Sequence, residues 1–190
     1  MTAPRGVTIV ELLVSLAIAA MLLAATAVAV DASFKGYSVN QLTSDIQQRS
    51  RVALHRMVSE IRNSAAHEPV TPSARQLFAS GVEADDTGIV LFRPDGSELR
   101  FFHDPDQQLL IARLEGTDHT LLEGVTDFRV TLTPTYSYLG DNIRRRVVVL
   151  QRASLLLTVR NVRTSADVIE QTAPVSVTLS SAVMPRQNSW

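Results

Sequence analysis

Residues Val7–Val30 read VTIVELLVSLAIAAMLLAATAVAV, and only Thr8, Glu11, Ser15 and Thr26 among these 24 residues are not apolar. At a rise of about 1.5 Å per residue, a helix of this length spans roughly 36 Å, enough to cross a hydrocarbon core of about 30 Å with some tilt. Glu11 lies five residues into the run. An acid at the centre of a membrane helix costs about 2.5–3.5 kcal/mol on insertion scales, so an ionisable residue in such a segment marks a functional position that needs a partner.

The rest of the chain is of another kind. The 190 residues are 45% apolar and 19% charged with a net charge of −1, but once the run is set aside the remainder is about 40% apolar, the value of a water-soluble body. The charge divides as well. Residues 31–66 carry five basic and three acidic side chains, while residues 67–190 carry twelve and fifteen. The lack of a concentrated Lys and Arg excess argues against nucleic acid as the main partner. No cysteine is present, which excludes a disulfide scaffold and thiolate-ligated metal chemistry.

The segment leading into the run, Met1-Thr2-Ala3-Pro4-Arg5-Gly6-Val7-Thr8-Ile9-Val10-Glu11, resembles the N-terminus of type IV pilins and type II secretion pseudopilins. In that family a short basic leader ends in Gly, a membrane peptidase cuts after it, and the fifth residue of the mature chain is Glu. The resemblance covers about residues 5–25. It implies cleavage between Gly6 and Val7 by a prepilin peptidase and N-methylation of Val7. Arg5 is then the leader charge, Thr8 stands at mature position two, and Glu11 at position five serves in assembly with other pilin or pseudopilin subunits. Physical reasons accompany each part. Gly6 lets an enzyme approach its carbonyl closely. Arg5 stays on the cytoplasmic side of the inner membrane by the positive-inside tendency, which leaves the body outside. The new amine of Val7 lies at the level of a neighbour's Glu11, and a buried carboxylate is tolerated when it is paired. Two departures stand out: Val7 replaces the usual Phe, and Val28 occupies the place where many major pilins carry a kinking Pro. A second reading of the run is an ordinary secretory signal peptide cut near Ala27 or Ala29, releasing a soluble binding domain.

Beyond Val30 the helical period persists. Leu42, Ile46, Ala53, Met57 and Ile61 recur at three-, four- and seven-residue steps, with Leu54 and Val58 widening the stripe. No Pro occurs between Pro4 and Pro69, so one helix from about Thr8 to Asn63 is expected, with Gly36 the place for a bend. The stripe reads as a contact with the chain's own sheet or as a coiled-coil seam. Residues 47–62 resemble the helix end of W-type minor pilins and J-type pseudopilins.

From about Ala74 the pattern turns to strands: 88–93 and 98–103 around the turn Pro94-Asp95-Gly96-Ser97, then 109–114, 120–122, 125–132, 146–150, 154–160 and 175–179. The expected fold is α+β, a long N-terminal helix packed on an antiparallel β-sheet body, pilin-like in plan. The expected divisions are a leader at 1–6, a transmembrane or fibre-core helix at 7–30, its amphipathic continuation at 31–66 and a β-rich domain at 67–190. The piece Leu121-Leu122-Glu123-Gly124-Val125-Thr126-Asp127-Phe128-Arg129-Val130 resembles a segment of J-type minor pseudopilins, which points to a minor subunit.

No catalytic constellation is legible. His55, His67, His103 and His119 have no ligand spacing, and neither a nucleophile elbow nor a phosphate-binding glycine loop occurs. Asp104 and Asp106 with His103, or Asp85 with Asp86, lie in turns where Asp bonds the local backbone. No metal or cofactor is expected, and the chain reads as a structural subunit, not an enzyme. Residues 134–142, which include Tyr136 and Tyr138, read as an exposed loop of the kind enriched at interfaces, a possible partner loop.

Overall fold

The computed structural model describes residues 8–139, 145–160 and 175–186. The chain forms two compact units, Met1–Gln41 and Leu42–Trp190. The element shared by sequence is helix α1 (Ile9–Asn63), as expected, and its helical backbone continues through Gly36.

In the second unit the amphipathic stripe meets the chain's own core. Ala53, Leu54, Met57 and Ile61 are buried, with Ile46 and Val58 packed partly against them. This is the sheet-contact reading of the stripe. Full burial of a side chain such as Met57 or Ile61 stabilises by about 1.5–3 kcal/mol. The strands that receive them are β1 (Ala66–Pro69), β2 (Ala84–Asp86), β3 (Gly88–Phe92), β4 (Glu98–Asp104), β5 (Leu109–Leu114), β6 (Thr117–Glu123), β7 (Val125–Leu139), β8 (Arg145–Arg160) and β9 (Ser176–Val183). They form two antiparallel sheets, in the orders β1-β3-β4-β5-β6 and β2-β7-β8-β9. Phe101 of β4 and Phe128 of β7 join α1 in one buried cluster. The architecture is α+β, a long N-terminal helix with antiparallel sheets against its second half.

The turns follow local chemistry. In the β3–β4 hairpin, Asp95 Oδ1 accepts from the Ser97 amide at 2.9 Å and its hydroxyl at 2.7 Å, while Gly96 takes φ +84°. The two-residue β5–β6 turn puts Glu115 at φ +50° and Gly116 at φ +85°, the twist that suits a tight hairpin.

Three expectations are corrected. The strand pattern expected from about Ala74 is preceded by a short helix, α2 (Pro72–Ala79), opened by Pro at its first turn and burying only Ala74 and Phe78. Two contacts four residues apart are too few to register as a period. The runs expected at 146–150 and 154–160 are one strand, β8. Thr133 pairs Arg152 and Pro134 pairs Leu150, so Gln151 is the extra residue of a bulge that admits Pro134 without a ladder N–H. For the same reason Pro134–Leu139, expected in an exposed loop, continue β7 as a two-stranded ribbon with β8. Tyr136 and Tyr138 therefore sit on a strand.

The C-terminal end of α1 is closed by groups from outside it. The last carbonyls of a helix have no partner within it. Here the Glu60 carbonyl accepts from the Ser64 hydroxyl at 2.6 Å, that of Ile61 from His67 Nε2 at 2.7 Å, and that of Arg62 from the Arg186 amide at 3.2 Å.

Candidate functional site

Among the described residues the chemistry-bearing end of α1 begins at Thr8. Its carbonyl accepts the Leu12 amide at 3.1 Å, the first helical bond, and its Oγ1 accepts the Glu11 amide at 3.3 Å. Thr8 is thus the N-cap, and Glu11 holds the position three residues on. This is the Thr-x-x-Glu spacing of a capping box, in which an acid in the first turn also faces the positive end of the helix dipole. The signal was present in the sequence as Thr8-Ile9-Val10-Glu11 and supplies a local role for both side chains beside any intermolecular one. Arg5, Gly6 and Val7 lie outside the described residues.

From Ile9 onward the helix is long and apolar enough, by length and composition, to cross a membrane. Its most apolar window has a mean hydropathy of 2.5, and none of that window is buried within the structure. Leu12, Leu13, Leu16, Ile18, Leu22 and Leu23 are all exposed. The hydroxyls in this stretch are satisfied internally: Ser15 donates to the Leu12 carbonyl and Thr26 to the Leu23 carbonyl, each at 2.9 Å, and Ser33 to that of Ala29 at 2.8 Å. In lipid an unpaired polar group costs several kcal/mol, so these back-bonds suit the helix to a membrane.

Residues 1–27 match the family pattern described as the prokaryotic N-terminal methylation motif. The N-terminal segment thus carries the methylation motif found in type IV pilins and pseudopilins. No curated protein and no solved structure matches it. The motif fits a chain that is processed by prepilin peptidase, anchored in the membrane by its apolar helix and assembled with other pilin subunits.

Away from the pilin-type segment, the side chains considered for metal binding are engaged locally. Asp104 Oδ1 accepts the amides of Asp106 and Gln107 at 3.0 and 3.1 Å, and His103 Nε2 donates to the Val125 carbonyl at 2.9 Å. Asp85 accepts the Thr131 hydroxyl at 2.6 Å. The buried Asp86 accepts the Thr71 amide and the Thr87 amide, both at 2.7 Å, which ties the start of α2 to β2. Among the described residues no group of three or more His, Cys, Asp or Glu is placed to hold a metal ion. His55 and His119 are exposed, whereas His67 is buried with its pKa held below the ordinary imidazole value by desolvation.

Tyr136 is 41% exposed and its hydroxyl donates to the Ser80 carbonyl at 3.2 Å. The ring lies over Gly81, whose φ is +82° and where a Cβ would stand 2.0 Å from the tyrosine oxygen. No sequence signal links these two residues, since they meet only through the β2–β7 pairing. The side chain of Tyr138 lies outside the described residues.

Proposed function

We propose that this chain is a minor pilin or pseudopilin, a structural subunit of a type IV pilus or type II secretion pseudopilus, placed at its tip or in the complex that primes it. The observation that carries the proposal is the register of Gly6 and Glu11 inside a 24-residue apolar run, supported by the methylation-motif match over residues 1–27. Residues 1–6 are the leader, 7–30 the membrane and fibre-core helix, 31–66 its amphipathic continuation and 67–190 the globular body.

Each site residue has a role in this scheme. Arg5 holds the leader in the cytoplasm, so that the body faces the far side of the inner membrane. Prepilin peptidase cuts between Gly6 and Val7, and the Val7 amine is then methylated. In the fibre that amine lies against the Glu11 carboxylate of a neighbouring subunit, where pairing offsets the cost of removing both charges from water. Thr8 caps the helix just behind the amine. The ribbon bearing Tyr136 and Tyr138 contacts a neighbouring subunit in the body layer. The likeness of residues 47–62 and 121–130 to W-type and J-type sequences supports the minor subtype.

Mass spectrometry of the mature protein tests the processing: a chain starting at a methylated Val7 is expected, and one starting at Met1 or near Asp31 in cells with active peptidase overturns it. Glu11→Gln tests the pairing, because the amide keeps the side-chain length but loses the charge, and the backbone bond from residue 11 to Thr8 Oγ1 is left in place. It is expected to insert and be cleaved normally while failing to enter fibres. Normal assembly of that variant would refute the charge-pairing role.

A further inference from the structure

The residues that follow the apolar run carry an inference that rests on the membrane helix above and refines it. From Leu12 to Val30 there are 19 residues, about 28 Å of helix, close to the thickness of a hydrocarbon core. Only Ser15 and Thr26 in that span are polar, and both are bonded back to their own helix. Charge brackets the span at both ends. Glu11 precedes it, and Asp31 follows it, paired with Lys35 at 2.8 Å.

Directly beyond lie Phe34 and Tyr37, the only two aromatic residues of α1. They are three residues apart and so share a face, and they are 70% and 68% exposed. A water-facing surface gains nothing from two bare rings. At a lipid–water boundary a ring buries its body among the headgroups and acyl carbonyls, and a tyrosine keeps its hydroxyl wet. A seam for another helix would need the apolar face to continue at the same spacing. Here Ser38 and Gln41, four residues on from each ring, end it.

We propose that Phe34 and Tyr37 form an interfacial collar in the headgroup layer at the end of the helix opposite Glu11, fixing the depth of the unassembled subunit so that Leu12–Val30 fills the hydrocarbon. The occupant of this face is the lipid headgroup layer.

The test uses the full chain in vesicles of phosphatidylethanolamine and phosphatidylglycerol, with Trp190→Phe removing the single native tryptophan and one new indole added by Phe34→Trp or by Leu22→Trp. Lipids brominated near the headgroup or at mid-chain quench an indole at the matching depth. The Phe34→Trp emission is expected to lose most intensity to the shallow bromines, and the Leu22→Trp emission to the mid-chain ones. If Leu22→Trp is quenched and Phe34→Trp is quenched by neither lipid, or chiefly by mid-chain bromines, the collar is wrong while the membrane helix stands. Phe34→Trp emission that instead follows the protein-to-lipid ratio points to a neighbouring subunit and overturns the collar too. Loss of quenching at Leu22→Trp overturns the membrane helix and the collar together.

Discussion

Arg93 holds the carboxylate of Glu60 through two donors, Nε to Oε2 at 3.2 Å and Nη2 to Oε1 at 3.0 Å. Each side chain is only about a quarter exposed. The pair joins the last turn of α1 to the residue that begins the β3–β4 turn, 33 positions later in the chain. A two-point grip of this kind resists rotation, which a single contact does not.

Arg93→Lys is expected to lose the fork and with it about 0.5–1 kcal/mol, the range of partly exposed pairs, because an ammonium offers a point charge where a planar donor pair is needed. Arg93→Ala costs more, since it leaves Glu60 half-buried without its partner. Urea denaturation of the body checks both. Equal midpoints for wild type and Arg93→Ala would show that the grip contributes nothing.

His67 makes stability depend on pH. The Ile61 carbonyl can only accept, so the neutral ring carries its proton on Nε2, and burial holds its pKa below the usual imidazole value. The unfolded chain therefore takes up this proton first as pH falls. The stabilisation is complete above the unfolded value of about 6.5 and declines below it. Thermal midpoints measured at pH 7.5 and 5.5 are expected to fall with acid, and His67→Gln, which keeps a donor for Ile61, is expected to flatten that slope.

Gly81 cannot accept a side chain. Its φ of +82° is strained for any L residue, and a Cβ would overlap the Tyr136 hydroxyl. Gly81→Ala is expected to destabilise by about 1–3 kcal/mol. The double variant with Tyr136→Ala, which removes the ring carbon that would stand 2.6 Å from the new Cβ as well as the hydroxyl, recovers the part due to the clash, so the two changes are non-additive in a double-mutant cycle. Strict additivity would show that the ring does not rest on Gly81.

Ser50 has no exposed surface and its Oγ finds no hydrogen-bond partner among the described residues. A buried unpaired hydroxyl costs about 1–3 kcal/mol, so Ser50→Ala is expected to leave stability unchanged or raise it. A fall of more than about 1 kcal/mol in the denaturation midpoint energy would mean the hydroxyl is bonded in solution.

Periodicity and turn chemistry made most of the fold legible. The stripe Ala53, Met57, Ile61 revealed the buried face of α1, and Pro94-Asp95-Gly96-Ser97 revealed its hairpin, because both signals are local. Helix α2 escaped because its two buried residues make no period. The single strand β8 was read as two because the bulge at Gln151 interrupts the apolar alternation that a register shift restores. At the N-terminus the register of Gly6 and Glu11 was plain in sequence. The cap between Thr8 and Glu11 was written there as well and is obvious once the geometry is seen. The grip of Arg93 on Glu60 and the seat of Tyr136 on Gly81 were invisible, since each depends on which strands meet.

The Arg62 carbonyl takes its hydrogen bond from the Arg186 amide, which gives the end of α1 a timing. A ribosome delivers the rod long before it delivers residue 186, so during synthesis that carbonyl is left to water. It is closed only when β9 has docked and drawn the following residues across. A chain halted in synthesis before β9 therefore keeps an open carbonyl at the end of its helix, and the closed bond marks a completed body.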